Sequence, residues 1–248
     1  MKLVMLGTGS CVPCAGRASA GLWLEGVDFG MVMDCGAGTL PAMPRHRVPW
    51  MRATHLAISH FHLDHVGELP SLLFALKHSP GAGPARSAPL SLVGPAGLSR
   101  ILKGWEESIG YAFTDTGFPV DAREIAPGGA IPLGHGGTLS ASRAVHTDES
   151  LAYRVEERGT SFGYTGDTGP APWLAGFFHG VDLLVADCSF MLPGGEGARH
   201  MSVAEVASLA REAGARRLVA THLYPDMDAG EMERSLRSSF GGAASLPV

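Results

Sequence analysis

The residues best suited to chemistry lie in one short stretch, His60–His65, which reads His-Phe-His-Leu-Asp-His. Imidazole and carboxylate groups at this density are the ligands that zinc and similar divalent ions prefer. The apolar run Leu56–Ile58 precedes the stretch and predicts the end of a buried strand. A helix is expected to follow, from Val66 to about Lys77. The stretch is therefore expected on a loop between a strand and a helix, where a rigid scaffold presents functional side chains.

The spacing within this stretch suits two metal ions. His60 and His62 lie two residues apart and can reach the same metal. Asp64 and His65 continue around the turn and can reach a second metal a few ångströms away. The alternative interpretation is a polar loop that happens to be rich in histidine. Further histidines and carboxylates downstream favour the metal site over that alternative.

Composition and charge limit the classes of protein to which this chain can belong. The chain has 248 residues, of which 45% are hydrophobic and 17% charged, and this suits one large α/β domain spanning 1–248. The net charge of −5 and the pI of about 6.1 argue against broad binding of long nucleic acid, which needs a basic surface. No apolar run approaches the ~20 residues of a membrane span. The N-terminus Met1–Gly7 predicts a first strand and no signal peptide, so a cytoplasmic location is expected.

Short apolar runs predict many strands. They are expected at Leu3–Leu6, Leu22–Leu24, Gly30–Asp34, 54–59, Leu90–Gly94, 138–145, 151–157, 160–165, Val181–Ala186 and Arg217–Thr221. The two halves of the chain echo one another, because in each an apolar strand runs into a hydroxyl residue and a histidine. These pairs are Ser59-His60 and Thr221-His222.

Fewer helices are predicted. Ser202 and Glu205 form a capping-box pattern, which predicts a helix that runs to Ala213. His78–Pro84 is expected to be a surface loop, and no helical extension is expected after Ser235. The pattern alone indicates an α/β protein with many short strands.

Thr54–Gly67, taken as a whole, resembles the signature of the metallo-β-lactamase fold superfamily, whose His-x-His-x-Asp-His core follows a hydrophobic strand. The strand end Gly7–Ser10 and the glycine-rich turn Asp34–Gly38 resemble the ribonuclease Z-like branch. The resemblance implies an α/β fold, an αββα sandwich of two mixed sheets flanked by helices. It also implies a hydrolytic site, because the diiron flavoprotein branch carries Glu where this chain has His62. Asp34 is expected to be a hydrogen-bonding residue under the loop and not a ligand.

Three later residues match further motifs of the family: His146 at a strand end, Asp167 in Thr-Gly-Asp-Thr and His222 in Ala-Thr-His-Leu. By resemblance, Asp167 bridges two metal ions. One metal is then held by His60, His62 and His146, and the other by Asp64, His65 and His222. The expected cofactors are two divalent ions, Zn2+ first, with Mn2+ or Fe2+ as alternatives. Metal lowers the pKa of a bound water from about 15.7 towards ~7, so hydroxide is available at neutral pH.

His200 is expected to act without binding metal. It lies two residues before Ser202, at a predicted helix N-terminus that favours anions. In ribonuclease Z-like enzymes, a non-ligand histidine in this position contacts the scissile phosphate and donates a proton. The residues expected to act in catalysis are therefore Asp64, which is also a ligand, and His200. The alternative for His200 is a solvent-exposed residue before a helix.

The resemblance to ribonuclease Z is incomplete. Asp167 follows His146 by 21 residues, which predicts a strand pair where tRNA-processing members carry a long protruding arm. Leu223–Asp226 replaces the Arg-Tyr that follows the last histidine motif of the family. With the acidic pI, these departures disfavour tRNA maturation. Class B β-lactamase activity is disfavoured too, because those sites generally lack the bridging Asp167.

The favoured function is a dinuclear metal-dependent phosphodiesterase that uses a metal-bridging hydroxide on a small or short phosphodiester. The alternative is a lactone or thioester hydrolase on the same metal site, which would not need His200 as a phosphate contact. A third hypothesis is a non-catalytic nucleic-acid-binding or scaffolding protein, which the intact ligand set disfavours. No membrane partner is expected, long nucleic acid is disfavoured, and a homodimer is left open.

The four cysteines and the histidines not yet assigned are expected to be structural or on the surface. Cys11 and Cys14 form a lone Cys-x-x-Cys, interpreted as small residues in a loop near the mouth of the site, with a redox or metal-binding role as the alternative. Cys35 and Cys188 follow apolar strands and are expected to pack as small hydrophobic residues. The histidines expected to be structural or on the surface are His46, His55, His78, His135 and His179.

Overall fold

The computed structural model describes residues 1–79, 89–134, 136–195 and 197–247. The chain divides into two compact units, here called the N-terminal unit (residues 1–7 and 18–126) and the C-terminal unit (residues 8–17 and 127–248). The prediction of one domain spanning 1–248 is not tested by this division and stays a prediction. The predictions for His135 and for residues 80–84 of the loop lie outside the described residues.

The N-terminal unit is built on a six-stranded mixed sheet with the order β1-β2-β3-β4-β5-β6. Its strands are β1 (Lys2–Gly7), β2 (Gly21–Glu25), β3 (Gly30–Cys35), β4 (His55–Ala57), β5 (Leu90–Gly94) and β6 (Val120–Glu124). β1, β2 and β3 pair antiparallel, whereas β3 to β6 pair parallel. Because β3 and β4 run the same way, the end of β3 and the residues after β4 lie at one edge of the sheet.

Helices of the same unit pack on this sheet. Those described are α1 (Thr39–Arg45), α2 (Leu63–Val66), α3 (Leu69–His78) and α4 (Leu98–Ile109). α3 buries Leu69, Leu72, Leu73 and Leu76, the spacing of one helix face. They share one apolar cluster with Leu56 of β4. Burying each leucine contributes about 1.5–3 kcal/mol, which fixes α3 on the sheet.

The helix predicted over 66–77 is interrupted at Glu68. The Glu68 carboxylate accepts hydrogen bonds from the backbone N–H groups of Gly38 (2.9 Å) and Leu40 (2.6 Å), so it is tied to the start of α1. Pro70 lies in the first turn of α3, where the N–H that proline lacks has no helical partner. The predicted single helix is therefore two helices, and α2 is a separate turn at the end of the histidine-rich stretch.

The C-terminal unit is built on a seven-stranded mixed sheet with the order β13-β12-β11-β10-β9-β8-β7. Its strands are β7 (Ala130–Gly134), β8 (Gly137–Arg143), β9 (Leu151–Glu157), β10 (Thr160–Tyr164), β11 (Leu183–Asp187), β12 (Arg217–Thr221) and β13 (Ala243–Ser245). β7 to β10 pair antiparallel and β10 to β13 pair parallel. The strands predicted in this half correspond to β8, β9, β10, β11 and β12.

The helices described in this unit are α5 (Pro172–Phe177), α6 (Val203–Glu212) and α7 (Ala229–Phe240). α6 begins at the predicted capping box. The Ser202 hydroxyl accepts from the backbone N–H of Glu205, and the Glu205 carboxylate accepts from the backbone N–H of Ser202 (2.8 Å). The predicted start of this helix is therefore confirmed.

The expectation that no helix extends the C-terminal region is wrong, because α7 runs through Ser235. Asp228 caps its first turn, where the carboxylate accepts from the backbone N–H of Glu231 (2.9 Å). The buried residues Met232 and Leu236 lie on one face of the helix and join the apolar cluster of the unit. The cap and the apolar face together explain why this polar segment is helical.

In each unit, helix and strand residues share one apolar cluster, so each mixed sheet is flanked by helices of its own unit. The predicted fold class, α/β with two mixed sheets flanked by helices, is confirmed. Within the described ranges, no helix is both long and apolar enough to cross a membrane.

Candidate functional site

The histidine-rich stretch of the N-terminal unit is held by a buried carboxylate, Asp34, near the end of β3. Its Oδ1 accepts from the backbone N–H of Ser59 (2.7 Å), and its Oδ2 accepts from the Ser59 hydroxyl (2.8 Å). Oδ2 also lies 2.8 Å from Nδ1 of His65. Asp34 has a φ of 56°, a left-handed conformation that residues other than glycine rarely adopt. The prediction that Asp34 is a hydrogen-bonding residue under the loop is confirmed.

These contacts set which nitrogen of each ring carries the proton. A carboxylate only accepts, so His65 donates from Nδ1 and has its lone pair at Nε2. The Ser59 hydroxyl already donates to Asp34, so it accepts from Nδ1 of His60 (3.0 Å), which also places that lone pair at Nε2. Both rings are buried. Neutral imidazoles oriented by a partner at Nδ1 are suited to bind a metal at Nε2.

His62 and Asp64 complete the stretch. The exposed His62 ring lies 4.7 Å from the His60 ring, centroid to centroid. Oδ2 of the buried Asp64 lies 3.8 Å from Nε2 of His65. Gly36 allows this turn to come close, because a Cβ at Gly36 would lie 1.8 Å from the carbonyl oxygen of Asp64. The predicted ligands of the N-terminal unit therefore lie together, His60 and His62 on the loop after β4 and Asp64 and His65 in the short helix α2.

Polar residues of the C-terminal unit gather at one edge of its sheet. β10, β11 and β12 are parallel, and β8 runs the same way because β9 is antiparallel to both β8 and β10. His146 follows β8, Asp167 follows β10 and His222 follows β12. Asp187, which was not predicted, ends β11. The topology therefore brings together residues that lie far apart in the sequence.

Asp167 lies between two histidines. Its Oδ2 is 3.2 Å from Nε2 of His222 and 3.7 Å from Nε2 of His146. All three side chains are at most 6% exposed. A carboxylate placed so close to two imidazole nitrogens suits a ligand that two metal ions share.

The same hydrogen-bond logic gives the tautomers of these two rings. His146 donates from Nδ1 to the carbonyl oxygen of Arg199 (3.1 Å). The Ser189 hydroxyl donates to Oδ1 of Asp187 (2.6 Å), so it accepts from Nδ1 of His222 (2.8 Å). In both rings Nδ1 is the donor, which leaves the lone pair at Nε2 facing the shared carboxylate. Two acceptor atoms at this distance repel each other unless a cation lies between them, which is the arrangement of a metal site.

Asp187 is the functional residue that sequence reasoning missed. It is fully buried, and its Oδ2 accepts from the backbone N–H of Thr168 (3.0 Å) and from Nδ1 of His200 (2.8 Å). Its Oδ1 accepts from the Ser189 hydroxyl (2.6 Å). The signal that could have found it is its position at the carboxyl end of an apolar strand, where parallel sheets place their functional residues. Three donors around one carboxylate fix it as an acceptor.

His200 lies just before α6 and is half-buried. Its ring stacks on the His222 ring at 5.0 Å and 10°, and its centroid is 4.7 Å from that of the His146 ring. Donor atoms of Asp167, Asp187, His200 and His222 all lie within 4.8 Å of one another. His200 is thus a hydrogen-bonded member of this cluster and not the solvent-exposed residue of the alternative.

The donor types found in both units suit divalent metal ions. Neutral imidazoles and carboxylates are ligands of zinc and related metals. The four histidines with a defined Nδ1 partner, His60, His65, His146 and His222, have the outer hydrogen bonds that orient metal ligands. The assignment of seven ligands to two metals stays a prediction.

The four cysteines are outside this donor set. Cys35 and Cys188 are fully buried. Burial raises the pKa of the Cys35 thiol far above its usual range, and raises the pKa of Cys188 to about 12. Both thiols are protonated and pack as small hydrophobic residues, as predicted. Cys11 is exposed, Cys14 is partly exposed, and the Cys11 sulfur lies 3.9 Å from the Tyr224 hydroxyl.

The sequence matches a known family. The family model described as Beta-lactamase superfamily domain matches residues 31–223. The Ribonuclease Z of Methanosarcina acetivorans is 26% identical over 275 aligned positions, which cover 90% of this chain and 87% of that protein. The Ribonuclease Z of Mycobacterium bovis is 29% identical over 254 positions, which cover 94% of this chain and 90% of that protein.

Solved structures share the fold. The metallo-β-lactamase fold protein YhfI from Bacillus subtilis has a TM-score of 0.83 at 23% identity, covering 99% of this chain and 95% of that chain. The short form of human tRNase Z has a TM-score of 0.81 at 21% identity, covering 100% and 96%. A diphosphatase from the PhnP family has a TM-score of 0.74 at 19% identity, covering 99% and 94%. The predicted metallo-β-lactamase fold is confirmed.

Proposed function

Because this chain belongs to the Beta-lactamase superfamily domain family, we propose that it is a metal-dependent hydrolase that acts on small or short phosphodiesters. The observation that carries the proposal is His200, an imidazole held by a buried carboxylate beside two predicted metal ligands. Relatives named Ribonuclease Z support a phosphodiester substrate.

Two divalent metal ions, Zn2+ first, are proposed as cofactors. The proposed ligands are His60, His62 and His146 for one ion, Asp64, His65 and His222 for the other, and Asp167 for both. Family membership and the Nε2 lone pairs support this assignment. When bound, the metals supply Lewis acidity and a hydroxide nucleophile at neutral pH. Asp34 and Ser189 keep the ligand rings in their metal-binding tautomer.

His200 is proposed to contact the phosphoryl group and to protonate the leaving oxygen. Its Nδ1 donates to Asp187, so Nε2 is the atom that faces the substrate. To protonate the leaving oxygen, His200 must also carry a proton at Nε2, and the Asp187 carboxylate compensates the charge of this imidazolium form. Hydrolysis of an alkyl phosphodiester expels an alkoxide, which needs a proton in the transition state. The alternative substrates, a lactone or a thioester, present no phosphoryl group to His200. This difference favours the phosphodiester.

A short substrate is proposed for two reasons. The net charge of −5 argues against broad electrostatic binding to long nucleic acid. β9 and β10 fill the segment between His146 and Asp167, where tRNA-processing members are expected to carry an arm. The predicted cytoplasmic location and the homodimer stay predictions.

Metal content tests the ligand set. Purified protein supplied with zinc or manganese is expected to bind about two equivalents of metal, because one carboxylate shared by two ions is the arrangement of dinuclear sites. Asp167→Ala should lose metal and activity together. Folded protein that takes up only traces of metal would contradict the assignment.

Variants of His200 test the reaction. His200→Ala should retain both metals but lose about 10²–10⁴-fold in rate on a phosphodiester with an alkyl leaving group. The loss should be much smaller on a p-nitrophenyl ester, whose leaving group departs without a proton. The control is His46→Ala, which removes an exposed histidine of α1's C-terminal end and should change neither rate. Full phosphodiesterase activity in His200→Ala, with faster hydrolysis of lactones by the wild type, would favour the alternative.

A further inference from the structure

An exposed aromatic side chain lies beside the proposed proton donor. Phe190 follows β11 and is 38% exposed, which is high for a phenylalanine. Its ring meets the His200 ring nearly at a right angle, with centroids 6.1 Å apart and planes at 85°. The Tyr224 ring lies 6.3 Å from it with planes only 15° apart. The Phe190 and Tyr224 rings are therefore nearly parallel, and the Phe190 ring lies next to His200.

The backbone holds this aromatic pair in place. The Phe190 carbonyl oxygen accepts from the backbone N–H of Val203 (2.9 Å), and the Phe190 N–H donates to the carbonyl oxygen of Met201 (3.3 Å). The Tyr224 ring also packs against the His222 ring, with centroids 5.8 Å apart and planes at 79°. The exposed ring of Phe190 therefore stands on a paired segment of backbone and not on an unsupported loop tip.

We propose that Phe190, backed by Tyr224, is a stacking platform for a nucleobase of the substrate. The inference rests on the proposed phosphodiesterase function and names its substrate class, short phosphodiesters that contain a nucleoside. Phe190 contacts the ring of the residue that protonates the leaving oxygen, so the base that stacks on it belongs to the leaving nucleoside. Every nucleobase has a π-face, so such a platform favours nucleosides without selecting one base.

Two dinucleotides that share one leaving alkoxide test the platform by activity. One carries a base on the leaving nucleoside, and the other carries a stable abasic sugar there. Stacking on an aromatic ring should give the wild type a preference of about 5- to 150-fold in kcat/KM for the intact dinucleotide. Phe190→Ala should remove that preference by lowering kcat/KM on the intact dinucleotide towards its value on the abasic one, and Phe190→Trp should keep the preference.

Two further variants separate stacking from packing. Phe190→Leu keeps an apolar side chain against His200 but removes the ring face, so it should lose the preference as Phe190→Ala does. Leu192→Ala is the matched control, because it shortens a side chain that is 77% exposed two residues further along the same segment. A wild type without base preference overturns the proposal. The proposal is also overturned if Phe190→Ala loses kcat/KM equally on both dinucleotides and Phe190→Leu restores it. Phe190 would then only position His200.

Equilibrium binding distinguishes failure of the platform from failure of the proposed function. Adenosine monophosphate should bind the metal-loaded wild type more tightly than ribose 5-phosphate, and Phe190→Ala should remove the difference. If neither dinucleotide is hydrolysed but this binding difference is present, the phosphodiesterase function is wrong and the platform stands. If the binding difference is absent, the platform is wrong whether or not the enzyme cleaves phosphodiesters.

Discussion

Asp187→Asn is the substitution that most directly tests how His200 is held. The Asp187 carboxylate accepts hydrogen bonds from Thr168, Ser189 and His200. Replacement by alanine would leave three buried donors without an acceptor, at about 1–3 kcal/mol each. That loss is comparable to the whole stability of a domain, about 5–15 kcal/mol. Asparagine has nearly the same shape and avoids this outcome.

The expected effect of asparagine follows from the positions of the donors. Oδ2 faces both the Thr168 N–H and the His200 Nδ1–H, so the amide oxygen should occupy the Oδ2 position. The amide nitrogen then faces Ser189, whose hydroxyl can accept. What His200 loses is the negative charge, since hydrogen bonds to charged groups contribute about 1.5–3 kcal/mol and neutral ones about 0.5–1.5 kcal/mol. A difference of about 1–2 kcal/mol corresponds to about a 5- to 30-fold lower kcat on an alkyl phosphodiester.

The assay compares the alkyl phosphodiester with a p-nitrophenyl ester and measures metal content in parallel. Asp187→Asn should retain its metals and lose rate mainly on the alkyl substrate. Asp182→Asn is the matched control at the other end of β11, where a partly exposed carboxylate accepts from the backbone N–H of Ser161 (2.8 Å). Equal losses on both substrates, or loss of metal, would refute the reasoning, because Asp187 would then act through Ser189 on the ligand His222.

Three further predictions concern the fold and the thiols. Gly36→Ala should lower the free energy of unfolding by about 1–3 kcal/mol in denaturant titration, because a Cβ would overlap a backbone carbonyl oxygen. Gly104→Ala, at an open position of α4, should instead raise it by about 0.5–1 kcal/mol, and the same sign for both would contradict the close approach. Iodoacetamide at pH 8 should alkylate Cys11 and Cys14 in native protein, while Cys188 stays unmodified because it is buried and its pKa is about 12. Cys11→Ser with Cys14→Ser should retain activity within a few-fold, and an inactive but folded and metal-loaded double variant would show that the pair has a function.

Local pattern was enough to predict elements whose signal lies within the element itself. The strand at Arg217–Thr221 and the start of α6 are examples, because an apolar run and a capping box each identify themselves. α7 carried a local signal as well, since Asp228 can cap a helix and apolar residues recur every four positions up to Phe240. Its many polar residues concealed that signal, so this helix was predictable and was missed.

The break between α2 and α3 was not predictable in the same way. Its cause is Glu68, whose carboxylate accepts from Gly38 and Leu40, about 30 residues earlier in the chain. Sequence periodicity describes only neighbours along one helix, and it cannot show that a carboxylate is engaged by a distant turn. The single helix predicted over 66–77 was therefore wrong because of a tertiary contact that periodicity cannot show.

The functional residues show the same difference between a local sequence signal and a tertiary one. The resemblance supplied Asp34, because a recognisable glycine-rich turn follows it, but it gave no motif around Asp187. The structure shows that each of the two carboxylates holds histidine rings of its own unit in place. Asp34 contacts one histidine directly and a second through Ser59.

Asp187 repeats that arrangement in the C-terminal unit, where it contacts His200 directly and His222 through Ser189. Ser59-His60 and Thr221-His222 therefore both follow a strand, but their hydrogen bonds differ. The hydroxyl that orients His222 comes from Ser189, after the neighbouring strand β11, and not from Thr221. A sequence can reveal a ligand by its neighbours, whereas the residue that orients the ligand needs only to be close in space. A buried carboxylate at the end of a parallel strand, with a serine nearby, is thus the feature to seek wherever a histidine ring must be held by Nδ1 so that Nε2 faces the site.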